Sequence, residues 1–187
     1  MDVARLLLRS TIGATFVVHG TQKLFGWFGG YGPDGTGQFF ESLGLRPGRR
    51  NAIAAGVTET GGGVLILLGL ATPAAAAGLA AVMITALRTA IWKDGFKPAT
   101  GEHEVLLAAG ALALTETGPG KPSLDYALGF DHGGPWWSLA ALGAGAAGSA
   151  AAIAMARREP ATPTSAAPAE APATPEAPPA PEPDTAS

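Results

Sequence analysis

Residues 51–70, NAIAAGVTETGGGVLILLGL, form a stretch of 20 residues with a single charged side chain, that of Glu59. An α-helix of this length covers about 30 Å, which is the thickness of the hydrocarbon core of a bilayer. A helix on the surface of a soluble protein would carry polar residues along one whole face. Because this stretch is mostly Ala, Gly, Val, Ile and Leu on all sides, it predicts a transmembrane helix.

Four more apolar segments lie on either side of it, at 6–28, 74–92, 104–115 and 138–156. The segment at 138–156 has no charged residue, and the segment at 74–92 has only one, Arg88. The segment at 104–115 is short, and it reaches the length needed to cross a membrane only when Glu102 and His103, or Glu116, are included. Together the five segments predict an all-α integral membrane helical bundle.

The alternative fold is a soluble all-helical bundle, and two features argue against it. Small residues recur four apart, as in Ala144–Gly148 and Gly145–Ser149, a spacing that lets membrane helices approach closely. The tryptophans lie at segment ends, where their rings would sit at the level of the lipid headgroups: Trp27, Trp92, Trp136 and Trp137. Both features favour a membrane.

Composition divides the chain into an apolar body and a polar end. Residues 159–187 contain nine of the 16 prolines, no aromatic residue and no Lys or Arg, which predicts a disordered tail. The remaining 158 residues carry 10 acidic and 12 basic side chains, a balance that does not indicate nucleic-acid binding. The chain has no cysteine, so it has no thiol that could bind a metal or relay electrons.

The first apolar segment has basic residues near its start, as a signal peptide does. However, Arg9 interrupts its apolar part, no small-x-small cleavage site follows, and the apolar run continues to Phe28. We therefore expect it to be retained as a helix.

The loop after this segment formally contains the glycines of the dinucleotide-binding pattern G-x-G-x-x-G, at Gly30, Gly32 and Gly35. No strand precedes them and Asp34 would repel phosphate, so we expect an ordinary turn-rich loop. Residues 36–44, TGQFFESLG, predict a short helix in the membrane interface that ends at Gly44. Its apolar residues would face lipid: Phe39, Phe40 and Leu43.

Glu59 lies near the middle of its segment, where a lone carboxylate costs about 3 kcal/mol. Pairing with Lys23 or His19, or protonation, would each reduce that cost. Lys23 and His19 lie one helical turn apart, and Arg5 and Arg9 fall near the same stripe. We predict that His19, Lys23 and Glu59 face one another inside the bundle, in the half where the first span ends.

Two roles are open for this cluster: a clasp that fixes helix register, or a site that holds and exchanges protons. Lys23 could also extend its ammonium group towards the interface. We interpret Arg9 and Arg88 as structural or interfacial, while His103 and Glu104 could simply begin the fourth helix. No motif spacing supports a metal site.

Three stretches resemble the DoxX family of small integral membrane proteins: RLLLRSTIGATFVVHGTQKLFGWFGG at 5–30, ETGGGVLILLGLATPAAA at 59–76, and GEHEVLLAAGALALTETGPGKPSLD at 101–125. The resemblance implies four transmembrane helices within a domain over 1–129. A further transmembrane helix over 130–158 and the tail over 159–187 would be additions to the family pattern. The resemblance also implies an intramembrane polar site at five positions: His19, Gln22, Lys23, Glu59 and Glu104.

What the resemblance implies about activity is a redox role in the plasma membrane. Some DoxX relatives are subunits of a thiosulfate:quinone oxidoreductase, and others are membrane partners of soluble redox, rhodanese-like or dismutase enzymes. Quinone is then the candidate ligand: His19 or Lys23 would donate to a carbonyl oxygen, and Glu59 would exchange the proton.

The sequence leaves two other classes of function open. One is a non-catalytic membrane anchor or assembly factor for a soluble enzyme of the redox or sulfurtransferase type. The other is a transporter of small solutes. A homo-oligomer would be compatible with each of them.

The basic residues predict an orientation. With five spans, Arg5, Arg9 and Lys121 lie on the side of the N-terminus, and the other nine Lys and Arg residues lie on the opposite side. Because cytoplasmic segments carry the excess of Lys and Arg, we predict an external N-terminus and a cytoplasmic tail.

Overall fold

The computed structural model of the protein describes residues 2–91, 98–130 and 133–158, and the side chains of all of these except 98–100. In chain order the helices are α1 (Val3–Phe25), α2 (Gly32–Ser42), α3 (Gly48–Leu68), α4 (Thr72–Ala86), α5 (Pro98–Thr117), α6 (Leu124–Ala127) and α7 (Pro135–Arg158). α4 continues as a π-helix through Leu87–Ile91. The described residues contain no strand, which confirms the all-α prediction. The predicted tail and Trp92 lie outside the described residues.

Three of these helices are long and apolar enough to cross a membrane: α3, α4 with its π-helical continuation, and α7. α1 and α5 have 23 and 20 residues, so their length is sufficient, but they contain more polar side chains. The five-span arrangement therefore stays a prediction for α1 and α5.

The apolar core is enclosed by α1, α3, α4 and α5. Each of these helices contributes a side chain that is fully buried: Phe16, Ile66, Leu79 and Leu114. α7 reaches this core through Ala141. A single stripe along the helix is buried: Ala141, Gly145, Ser149, Ile153 and Ala156. The large apolar residues on its other faces are exposed, as expected for a helix that contacts lipid on most of its surface.

α1 and α3 run antiparallel and come closest at glycines. A Cβ atom added to Gly63 would lie 2.7 Å from the carbonyl oxygen of Gly13. Seven residues along α1, a Cβ atom added to Gly20 would lie 2.7 Å from the carbonyl oxygen of Gly56. Larger residues would separate the two backbones, so these glycines fix the spacing and the register of the helix pair.

α4 and α7 run parallel, and the predicted small-residue spacing is part of their contact. A Cβ atom added to Gly145 would lie 3.0 Å from the carbonyl oxygen of Ala77. One turn further, the Thr85 hydroxyl donates to Ser149 Oγ at 2.9 Å. Gly145 and Ser149 are buried, whereas Ala144 is exposed. Of the two predicted spacings, Gly145–Ser149 therefore forms the helix contact.

Arg9 is buried at the end of the bundle where α1 begins. Its guanidinium group donates to the carbonyl oxygens of Pro119, at 3.1 Å, and Pro122, at 2.6 Å. These bonds tie the loop after α5 to α1. Of the two roles interpreted from the sequence, structural or interfacial, these hydrogen bonds favour the structural one for Arg9.

Asp125 fixes the start of α4 at the same end of the bundle. Its carboxylate accepts the backbone N–H groups of Ala71 and Thr72, at 2.8 and 3.0 Å, and the Thr72 hydroxyl at 2.8 Å. The first N–H groups of a helix have no partner within the helix, so a buried carboxylate in this position caps it.

The two ends of the described chain lie at opposite ends of the bundle. The backbone N–H of Asp2 donates to Lys121 O, in the loop that follows α5. The backbone N–H of Arg46, just before α3, donates to Ala156 O near the end of α7. This arrangement is the one that an odd number of membrane crossings requires.

α2 begins earlier than the sequence predicted. It starts at Gly32 rather than near residue 36, because Pro33 occupies the first turn, where proline needs no hydrogen-bond partner. Gly44, with φ of 80°, follows the helix and ends it, which confirms that part of the prediction.

The prediction that the apolar face of α2 contacts lipid is wrong for two of its three residues. Phe39 is exposed, but Phe40 and Leu43 are partly buried and line an internal cavity. Phe40 packs against a cluster formed by Leu45, Ile153 and Ala156. The sequence could not show this, because the contact depends on α7 lying over α2.

Candidate functional site

A cavity of about 650 Å³ lies in the half of the bundle where α1 ends and α3 begins. Its charged and histidine side chains come from α1, α3 and α5: His19, Lys23, Glu59, His103 and Glu104. The remaining wall is mainly apolar and comes from α2, α3, α4 and α7. Cavities of this size, apolar with a few polar groups, are typical of sites for small organic ligands.

Lys23 and Glu59 form an ion pair at this cavity. Lys23 Nζ lies 2.6 Å from Glu59 Oε2, and it also donates to the carbonyl oxygen of His19 at 3.4 Å. Side chains on a helix tilt towards its N-terminus, so Lys23 reaches about one turn deeper than its own Cα. The predicted partner of Glu59 is therefore confirmed as Lys23.

Glu59 is only 1% exposed, and its second oxygen, Oε1, has no hydrogen-bond partner among the described residues. The same is true of Glu104 Oε2 and Asn51 Nδ2, which belong to other residues of the cavity wall. A buried polar atom without a partner costs about 1–3 kcal/mol. Three such atoms around one cavity give it capacity to bind a polar ligand or water.

His19 and His103 stack across the α1–α5 interface. Their ring centroids are 5.1 Å apart and the rings are inclined by 21°. The sequence did not separate His103 from an ordinary residue at the start of a helix. The Glu-His-Glu triplet at 102–104 is the sequence feature that could have marked His103 as a site residue. It lies at the end of α5 that meets the end of α1 where His19 lies.

Gln22 is the one predicted site residue that does not line the cavity. Its amide donates to the carbonyl oxygen of Phe28 at 3.2 Å and so holds the turn that follows α1. Four other polar residues of the wall were not predicted, because their types occur throughout the helices: Asn51, Thr58, Thr85 and Thr89. Within the described ranges, no three His, Asp or Glu residues are grouped so as to hold a metal ion.

Comparison with known proteins shows the family of this chain. The DoxX family model matches residues 4–92, a range that includes His19, Lys23 and Glu59. "Putative oxidoreductase CatD" of Bacillus subtilis (strain 168) is 36% identical over 124 residues, which are 66% of this chain and 86% of that protein. No solved structure matches the chain. The stretches 5–30 and 59–76 thus carry a true family relationship, and the chain belongs to the DoxX family.

Proposed function

We propose that the protein is the membrane subunit of an oxidoreductase system in the plasma membrane, and that its cavity binds the headgroup of a quinone. The observation that carries the proposal is the Lys23–Glu59 ion pair, at the polar end of a mainly apolar cavity of about 650 Å³. A quinone headgroup has two carbonyl oxygens on a flat apolar ring. It therefore suits a cavity with a few hydrogen-bond donors and apolar walls.

The side chains at the polar end have distinct roles in this proposal. Lys23 donates a hydrogen bond to one carbonyl oxygen, and a ring N–H of His19 donates to the same headgroup. The stacked rings of His19 and His103 offer a flat surface beside it. A bound quinone supplies chemistry in which two electrons and two protons are taken up together.

Glu59 is the group that holds and moves a proton. Its Oε2 is engaged by Lys23, while Oε1 has no partner among the described residues and is free to exchange a proton with a ligand oxygen. Glu104, with Oε2 also unpartnered, offers a second carboxylate for the second proton. The chain has no cysteine, so none of its own thiols can supply the electrons, and we propose that a soluble redox or sulfurtransferase-type enzyme does so.

The similarity to the Bacillus subtilis protein named as a putative oxidoreductase favours a redox role over transport. The family match covers the half of the cavity that contains Lys23 and Glu59. Neither comparison bears on the ligand, so the quinone is supported by the resemblance to DoxX relatives described above and by the chemistry of the cavity.

Binding of a short-tailed quinone to the purified full chain in detergent tests the proposal. With 2,3-dimethoxy-5-methyl-1,4-benzoquinone, Lys23→Met should weaken binding about tenfold or more, because it removes a charged donor. The matched control is Lys121→Met, whose side chain lies over the Tyr126 ring at the other end of the bundle. Equal binding by both variants would contradict the proposal. A chain that binds no quinone but retains a soluble enzyme would instead support the anchor function.

A further inference from the structure

The apolar part of the cavity has a wall that the family match does not include. Gly148 and Ala152 of α7 line it, whereas the matched residues end at 92. We infer that α7 makes this cavity specific for a quinone that bears a hydrocarbon chain, and that Gly148 and Ala152 determine which chains fit. This inference rests on the proposed function, because the headgroup fixes one end of the ligand.

The polar and apolar parts form one continuous space. The charged end lies between α1, α3 and α5, and the same cavity extends between α2, α4 and α7. Its apolar part is lined by Phe40, Ala81, Ala86, Ala90, Gly148 and Ala152, among others. A molecule with a polar ring and an apolar chain matches this distribution.

The width of the apolar part is set by small residues on facing helices. A Cβ atom added to Gly148 would lie 3.4 Å from the Cβ of Ala81, so the two helices are near contact there. Ala152, one turn further along α7, also lines the cavity, as do Ala86 and Ala90 of α4 and its π-helical continuation. Gly148 and Ala152 are both exposed, so the cavity is open on the side of α7. A larger side chain at residue 152 would occupy the volume that a chain needs.

The position of α7 is fixed on both sides of this space. The hydrogen bond from Thr85 to Ser149, at 2.9 Å, holds α7 against α4. Ser149 is completely buried at this contact. Towards the end of α7, Ile153 and Ala156 pack against Leu45, with Phe40 beside them. The space therefore lies between two sets of packed residues of α7.

A membrane phospholipid is the other molecule with a hydrocarbon chain. Its charged headgroup stays at the interface, whereas the polar end of the cavity is deep: Glu59 is the twelfth of 21 residues in α3. An uncharged headgroup such as a quinone ring can lie at this depth without taking a charge out of water.

The test compares two quinones with the same ring, one without a chain and one with a decyl chain, on the full-length protein in nanodiscs. Ala152→Phe should weaken binding of the decyl compound about tenfold relative to wild type, and binding of the chainless compound less than about twofold. Taking the ratio of variant to wild type for each compound removes the effect of its partition into lipid. Ala151→Phe is the matched control, because Ala151 and Ala152 are both exposed on α7 but only Ala152 lines the cavity. If Ala152→Phe does not fold, the smaller Ala152→Val should give the same selective loss, reduced in size.

The outcomes separate the two proposals. If Lys23→Met weakens the chainless compound but Ala152→Phe leaves the decyl compound unaffected, the role of α7 is wrong and the headgroup site stands. If Lys23→Met affects neither compound, the headgroup site itself is wrong. If Ala152→Phe instead releases a co-purifying phospholipid and leaves quinone binding unchanged, the chain belongs to a lipid, and the inference is overturned.

Discussion

Lys23 Nζ lies 2.6 Å from Glu59 Oε2, across the interface of two helices that glycines hold close together. Glu59 is 1% exposed, and the side chain of Lys23 is 20% exposed. An isolated charge at this depth would be costly, so each group makes the other tolerable. The pair is also where the cavity is most polar, which links the stability of the bundle to its proposed chemistry.

Removing one member of the pair should destabilise the bundle more than removing both. Lys23→Met leaves the Glu59 carboxylate without its partner, and we expect a loss of about 3–5 kcal/mol. Adding Glu59→Gln in the same chain should restore most of the loss, because no uncompensated charge remains. Thermal unfolding of the detergent-solubilised variants measures this. A double variant as unstable as Lys23→Met would show that the pair contributes little through its charge.

The close approach of α1 and α3 should be sensitive to a single methyl group. Gly63→Ala places a Cβ atom 2.7 Å from Gly13 O, so we expect a loss of about 1–3 kcal/mol from overpacking. Gly61, two residues earlier in α3, has open space where its Cβ would be. Gly61→Ala should therefore be neutral or stabilise the helix by up to about 1 kcal/mol. Unfolding temperatures that fall equally in both variants would contradict the packing described for this interface.

Asp125 should contribute more to stability than an exposed carboxylate does. Asp125→Ala removes the acceptor of three hydrogen bonds at the start of α4, and we expect a loss of about 2–3 kcal/mol. Asp34→Ala is the control, because Asp34 pairs with Arg49 on the surface, where such pairs contribute about 0–1 kcal/mol. Similar unfolding temperatures for the two variants would argue against the capping role.

Much of the fold follows from sequence because the membrane restricts what a segment can do. A long apolar stretch in a membrane must be a helix, which is why α3 could be predicted. A lone carboxylate within it is costly, which is why Lys23 or His19 was expected as a partner of Glu59. The His19–His103 stack and the contact of Phe40 with α7 could not be predicted. Both depend on how helices distant in sequence are placed, which no local pattern specifies. Asp125 was also missed as a cap, because the helix that it caps begins 53 residues earlier.

The orientation of the bundle is predicted by its basic residues. An alkaline phosphatase fused after Arg158 should be inactive in cells, because this enzyme folds only outside the cytoplasm and we place the end of α7 inside. A reporter that fluoresces only in the cytoplasm, fused at the same position, should be bright. High phosphatase activity with a dark fluorescent fusion would reverse the orientation.

Photoaffinity labelling with an azidoquinone tests the central claim most directly, because it reports where the headgroup binds. The account predicts that the label attaches to peptides that contain His19, Lys23, Glu59 or His103, and that excess unlabelled quinone suppresses it. Glu116→Gln, which changes an exposed carboxylate at the other end of α5, should leave the labelling unchanged, while Lys23→Met should reduce it. Labelling spread over exposed apolar positions such as Val64 and Leu139, and not suppressed by unlabelled quinone, would contradict the account.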